Sequence, residues 1–199
     1  MKPINNVALD KESFNWLKGS LKLSFEAERK RKLNPAYSTD VPQEIGLQLT
    51  YKCNLRCTHC YQWNDEGFFH NYSKTMQKQE LEVDAIARVM HATRASQSRL
   101  YFWGGEPLVH SRWEDICKLM EDDPRSSVIC TNALLLREKM DSLLRLPIAP
   151  NLLVSIDGMK ESHDSIRGKG TFLKIIDNIM PYILLKQRKK YNGNINVNL

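Results

Sequence analysis

A chain of 199 residues, 42% hydrophobic and 26% charged, is long enough for one domain with a real core and a short extension. No apolar run approaches the ~18 residues of a membrane span, and the first residues, Met1 to Phe14, lack the apolar stretch and cleavage site of a secretory signal, so a cytoplasmic protein with no membrane partner is expected. The net charge of +6 is partly local, in Arg29 to Lys32 and Lys186 to Lys190; two solvated helix faces explain it more simply than a nucleic-acid patch, with RNA or an acidic substrate left open.

Phe14, Leu17, Leu21 and Phe25 recur at three- and four-residue steps, which predicts a helix from Lys11 to about Leu33. Asn34-Pro35 ends it, and a loop-like linker reaches Pro42 because proline disfavours helical geometry in the residue before it. Residues 1–42 are therefore expected to form an N-terminal helical extension, and residues 43–199 the core.

From Ile45 to Thr50 the apolar residues Ile45, Leu47 and Leu49 alternate as in a strand. A helix follows around Leu81, Ile86, Val89 and Met90, then a short strand, Leu100 to Trp103, that stops at Gly104-Gly105. The alternation continues with a helix from Arg112 to Glu121, a strand from Ser127 to Thr131, a helix from Leu135 to Leu144 and a strand from Leu152 to Ile156. Phe172, Ile175, Ile176, Ile179 and Ile183 mark another helix, which Pro181 is expected to kink or shorten. Asn194 to Leu199 alternates as a fifth strand after a turn at Asn192-Gly193.

Strands alternating with helices imply a parallel α/β sheet or part of a barrel, and the length excludes a closed eight-stranded barrel. A chain that stops on an apolar parallel strand leaves an uncovered edge, so a fragment of a longer protein is expected.

Five cysteines in a reducing compartment read as free thiols or metal ligands. Three of them, Cys53, Cys57 and Cys60, fall in one CxxxCxxC segment after the first strand. Thiolates suit iron–sulfur clusters, and three ligands on a cubane leave one iron open to chelation by an amine and a carboxylate. A Cys3His zinc site that includes His59 is a second reading of the same residues; a redox pair, Cys57 with Cys60, is a third and leaves Cys53 without a purpose. Cys117 and Cys130, in a helix and a strand, read as core thiols. His70, His91 and His110 show no metal-ligand spacing, and Trp63, Phe68 and Phe69 are expected to pack over the cysteine loop.

Ligands in α/β folds sit beyond the carboxyl ends of the strands. The second strand ends in Gly104-Gly105-Glu106-Pro107, where glycine permits close backbone approach and Glu106 offers acceptors to an ammonium group. The third ends in Thr131-Asn132-Ala133 and the fourth in Ser155-Ile156-Asp157-Gly158, followed by His163-Asp164, Arg167-Gly168 and Gly170. Taken singly, each also reads as a turn or a surface charge.

In this order the segments resemble the radical SAM superfamily, and the stretch from Ser155 to Phe172 is similar to that of its peptide-modifying and sulfatase-maturing members with SPASM-type C-terminal extensions. The resemblance covers about Ile45 to Leu199. It implies a partial (β/α)6 barrel, incomplete at its C-terminus, that binds a [4Fe–4S] cluster on Cys53, Cys57 and Cys60 and cleaves S-adenosylmethionine reductively to a 5′-deoxyadenosyl radical. It further implies cofactor contacts from His59, in the family's aromatic position before the third cysteine, and from Gly104, Gly105, Glu106, Asn132, Ser155, Asp157 and Arg167. In the family's TNG segment glycine stands where this chain has Ala133, which disfavours the positive φ that glycine accepts. The implied partners are a ribosomally made peptide or protein substrate and an electron donor such as flavodoxin or ferredoxin. An RNA-modifying member of the family is the alternative, and a zinc-binding interaction module the alternative from another class.

Overall fold

The computed structural model describes residues 11–38 and 41–198, and within them not the side chains of residues 11–17, 20 and 23. The expected apolar contacts of Phe14 and Leu17, part of the linker before Pro42, and Leu199 of the last strand thus lie outside the described residues. Two compact units are present, Met1–Pro42 and Gln43–Leu199.

The first unit contains helix α1, Lys11–Leu33. Lys30, Arg31 and Lys32 crowd its last turn, where cations complement the carbonyl end of the helix dipole. Asn34 closes it: its N–H donates to Lys30 O at 2.8 Å, and its Oδ1 accepts from Ala36 N at 3.1 Å. Leu21 and Phe25 are exposed.

The second unit is built on a five-stranded, wholly parallel sheet whose spatial order, β1-β2-β3-β4-β5, follows the chain. The strands are β1 Glu44–Gln48, β2 Arg99–Trp103, β3 Ser127–Thr131, β4 Asn151–Ser155 and β5 Ile195–Asn198. Parallel neighbours require crossover connections, supplied by α2 (Val83–Ala92), α3 (Trp113–Asp122), α4 (Met140–Arg145) and the pair α5 (Lys160–Arg167) and α6 (Thr171–Gln187). Among the described residues no helix is long and apolar enough to cross a membrane.

Strand alternation divides the sheet into two faces. Leu47, Leu100, Phe102, Ile129, Leu152 and Val154 point to the helices and are buried against Ile86, Met90, Ile116, Leu143, Ile175 and Ile179. Burial of each such side chain contributes about 1.5–3 kcal/mol, which makes this layer the core. The other face carries Gln48, Tyr101, Trp103, Cys130, Leu153 and Ser155, partly exposed, in register across the sheet. Such a polar and aromatic lining is what an unfilled barrel interior presents to a ligand.

Two sequence expectations need correction. The helix expected from Leu135 to Leu144 is a series of turns until Met140, because the chain first makes a tight turn at Ala133 and caps it through Asn178, whose Nδ2 donates to Ala133 O at 3.0 Å and Leu134 O at 2.8 Å. Pro181 neither ends nor shortens α6, which runs on to Gln187. The segment from His163 to Arg167, for which no element was expected, belongs to α5.

Candidate active site

The cysteine loop leaves β1 at its carboxyl end and is pinned from two sides before the first thiol. On one side Leu81 N donates to Leu49 O at 2.8 Å and Tyr51 N to Gln79 O at 3.0 Å. On the other, Gly105 N donates to Thr50 O and Glu106 N to Lys52 O, both at 2.8 Å. The glycine turn after β2 is what lets the loop come so close. A Cβ on Gly105 would lie 2.2 Å from Lys52 O, and one on Gly104, at φ +145°, 2.5 Å from Thr50 O. Both distances are far inside van der Waals contact, so glycine is required here by protein backbone.

Aromatic residues fix the outer side of the loop. Phe69 stacks on Tyr51 with ring centroids 4.3 Å apart, and Trp63 Nε1 donates to Tyr51 O at 2.8 Å. Phe68 packs edge-on against Phe69 but is half exposed. Arg56 lies over the Trp63 ring at 4.0 Å and donates through Nη1 to the carbonyls of Cys53 and Leu55. Thr58 N donates to Ile166 O at 3.0 Å, which docks the loop on α5.

The three cysteines are free and meet in one cavity of about 290 Å³, near the lower limit for a small-molecule pocket. Also lining it are His59, Gly104, Gly105, Glu106, Asn132, Ser155 and Arg167, so every expected site residue except Asp157 reaches the same space. Asp157 stands behind Arg167: Arg167 Nε and Nη2 donate to its two carboxylate oxygens at 2.5 and 3.3 Å. The guanidinium fork is thus engaged by a carboxylate of the chain itself. Its remaining nitrogen, Nη1, lies 3.8 Å from Cys57 Sγ. His59 is largely exposed and places Nε2 3.6 Å from Asp157 Oδ1.

Glu106 is buried and ties two strand ends together. Its Oε1 accepts from Thr131 Oγ1 at 2.7 Å and Leu108 N at 3.2 Å, and its Oε2 from Asn132 N at 2.7 Å. Burial pushes its carboxyl up to about 7, against the lowering effect of these donors. One acceptor direction on Oε2 is left for a ligand. Asn132 makes a turn through Oδ1, which accepts from Leu134 N at 3.0 Å, and points Nδ2 at Asn54 Oδ1, 2.7 Å away, with Cys53 Sγ at 4.0 Å. Ala133 does take the left-handed conformation, at φ +64°.

Burial also sets the state of the thiols: Cys53 is pushed up to about 12, and Cys57 is raised while the Arg167 charge opposes the rise. Ligation therefore displaces protons. Among the described residues no three Cys, His, Asp or Glu side chains converge closely enough to hold a single ion. Three thiols of one loop lining one cavity are a soft donor set of the kind iron–sulfur clusters take, each thiolate of a cubane binding a different iron.

Cys117 is a core thiol, as expected, but Cys130 is not. Its strand position turns it into the cavity, where the Tyr101 and Ser155 hydroxyls lie against its sulfur. Tyr101, Trp103, Gln62 and Asn54 also belong to the site region and were not foreseen. The alternation of Tyr101 and Trp103 with Leu100 and Phe102 carried the signal for two of them, masked because that run is apolar on both faces.

Comparison with known proteins agrees with this geometry. A family model described as the Radical SAM superfamily matches residues 47–180. A GTP 3′,8-cyclase of Clostridium perfringens is 32% identical over 139 residues, and an Fe-coproporphyrin III synthase of Methanosarcina barkeri is 28% identical over 137. Each alignment takes in 68% of this chain, which spans 41% and 33% of the length of those two relatives. Among solved structures, Streptococcus suis SuiB bound to its precursor peptide SuiA superposes with a TM-score of 0.53 at 13% identity, over 100% of this chain and 57% of SuiB, a likeness of fold.

Proposed function

The chain belongs to the radical SAM superfamily of enzymes, whose cofactors are a [4Fe–4S] cluster and S-adenosylmethionine, and we propose that it holds the cluster on Cys53, Cys57 and Cys60 and cleaves S-adenosylmethionine in order to modify a ribosomally made peptide or protein. The observation that carries this reading is the meeting of all three thiols with the ends of β2, β3 and β4 in one cavity. The cluster, when bound, supplies the electron that breaks the sulfonium bond and releases methionine and the 5′-deoxyadenosyl radical. The protein's part is to bind, orient and exclude water.

Gly104-Gly105 brings the backbone of β2's end against the cysteine loop, and Glu106 keeps one acceptor direction toward the ammonium of the methionyl group. Asn132 and Ser155 face the same space from β3 and β4 as neutral hydrogen-bonding groups for the ribose. His59 offers its ring to the adenine from the loop. Tyr101, whose hydroxyl is pushed up to about 12 by burial and the neighbouring Cys130 sulfur, stays neutral and lines the inner wall with Trp103, on the side where a substrate would lie.

The peptide substrate is supported by the Ser155 to Phe172 stretch and by the fold shared with SuiB, whose structure holds a precursor peptide. A small-molecule substrate is the second reading, favoured by the GTP cyclase and coproporphyrin synthase relatives. An electron donor such as flavodoxin or ferredoxin completes the system, and the cytoplasm is its setting. The zinc module is set aside by family membership.

The deciding experiment is anaerobic reconstitution with iron and sulfide, followed by a strong reductant and S-adenosylmethionine. Cluster absorbance that is lost in Cys57→Ala, with 5′-deoxyadenosine as product, is expected. A colourless chain carrying one zinc overturns the assignment of the thiols. Acceleration of 5′-deoxyadenosine formation by candidate precursor peptides, and not by GTP or a porphyrin, is expected from the peptide reading.

A further inference from the structure

Resting on the assignment of the cluster to Cys53, Cys57 and Cys60, we infer that Arg167, oriented by Asp157, is a positioning residue that hydrogen-bonds the Cys57 sulfur and raises the reduction potential of the cluster. Two of the three guanidinium nitrogens are fixed on Asp157, and this pairing aims the third, Nη1, at Cys57 Sγ, 3.8 Å away. The arginine side chain is 11% exposed and Cys57 is buried, so solvent screens the contact weakly.

The three sulfurs are distinguished by their donors. Cys53 Sγ accepts from Leu55 N at 3.4 Å and has Asn132 Nδ2 at 4.0 Å, both neutral groups. Cys57 faces a permanent cation, since a guanidinium keeps its proton at any working pH. Among the described residues no hydrogen bond to Cys60 Sγ is found. Hydrogen bonds to cluster sulfurs stabilise the more negative, reduced state, and a charged donor is roughly twice as strong as a neutral one. With the cluster bound, Cys57 would therefore be the ligand whose sulfur best stabilises added electron density. The Asp157 charge offsets part of the long-range field, and what it adds is direction: an unpaired arginine at the cavity wall would turn to solvent.

The test is a potentiometric titration of the reconstituted full chain, without S-adenosylmethionine, followed by the electron paramagnetic resonance of the reduced cluster. Arg167→Gln is expected to lower the midpoint until the ratio of oxidised to reduced cluster at a fixed potential changes about tenfold, which is 59 mV for a one-electron couple. Arg167→Lys is expected to lower it by less than this but measurably, because an ammonium drawn to Asp157 does not reach the sulfur as well. Arg145→Gln serves as the control: that guanidinium is exposed, pairs with Glu114 and Glu121 and does not line the cysteine cavity, so an unchanged midpoint is expected. Arg167 variants with the wild-type midpoint at equal iron content, or an Arg145→Gln shift as large as that of Arg167→Gln, overturn the inference. If Arg167→Gln takes up no cluster, the Arg167→Lys midpoint decides, and equality with wild type overturns it. Failure of the underlying assignment looks different, since the wild-type chain then gives no cluster signal to titrate.

Discussion

Gly105 and Lys52 approach so closely that a Cβ on the glycine would sit 2.2 Å from the lysine carbonyl oxygen. Neither partner has room to move, since Gly105 N and Glu106 N are both bonded to this loop. Gly105→Ala is expected to push the cysteine loop off the end of β2, at an overpacking cost of roughly 1–3 kcal/mol. Reconstituted Gly105→Ala should bind less iron per chain and melt at a lower temperature than wild type; equal iron content would show that the loop tolerates the shift.

Glu106 links stability to pH. Its folded carboxyl is raised from 4.5 to about 7 by burial, so the fold favours the protonated form. Stability from this group is then full below the unfolded value and is lost as pH rises through about 7. Glu106→Gln removes that dependence and sets an N–H2 against donors from Asn132 or from Leu108 and Thr131, at about 1–3 kcal/mol. Thermal melts between acid and neutral pH should show a flatter profile and a lower melting temperature for the variant; parallel profiles would place the linkage elsewhere.

The parallel βα series and the strand ends that line the cavity could be read from sequence because strand period and strand-end motifs are local signals. What escaped reading depended on contacts made across the sheet. The glycine pair was expected to admit a ligand, yet the atoms it admits are Thr50 and Lys52 carbonyls, set by how β1 pairs with β2. Arg167 was expected to contact the cofactor, and only the folded chain shows its guanidinium fork engaged by Asp157, ten residues earlier. Cys117, in a helix, and Cys130, in a strand, both read as core thiols beside apolar neighbours, and it is the face of β3 that sends Cys130 into the cavity.

Ala133, at φ +64° and wholly buried, occupies the place where glycine is usual in the family's TNG segment. Left-handed geometry costs alanine about 1–2 kcal/mol, while its methyl contributes about 0.8 kcal/mol by burial and its stiffer unfolded chain another 0.4–1 kcal/mol. Ala133→Gly should therefore fall within about 1 kcal/mol of wild type. Ala133→Val, β-branched at positive φ and overpacked, should lose roughly 2–3 kcal/mol in urea unfolding. A tolerated valine would mean that the turn relaxes.

Asp164, from the His-Asp pair of the sequence motif, works as a cap. Its carboxylate accepts from Gly170 N and Phe172 N, both at 2.9 Å, at the start of α6. The Phe172 and Gly170 amides hold its pKa below the usual range. Since that pKa is depressed, the stabilisation is present above the unfolded value of 3.8 and lost as pH falls through the folded one. Asp164→Asn should lower the melting temperature at neutral pH and converge on wild type in acid, with cluster content unchanged. A neutral-pH melting temperature equal to wild type would remove the cap from this account.

Cys130 shares the cavity with the three loop cysteines, which makes it the natural rival for a fourth position on the cluster. It is fixed on β3, outside the CxxxCxxC loop, with the Tyr101 and Ser155 hydroxyls against its sulfur, so its position is set by the sheet and not by the loop that carries the other three. Cys130→Ala is expected to keep the full cluster absorbance, whereas Cys53→Ala, Cys57→Ala and Cys60→Ala each lose it. The comparison matters because a fourth thiolate would close the iron to which the amine and carboxylate of S-adenosylmethionine must bind. Loss of the cluster in Cys130→Ala would therefore count against S-adenosylmethionine cleavage itself, and retention of the cluster together with S-adenosylmethionine-dependent changes in its electron paramagnetic resonance would establish the open corner.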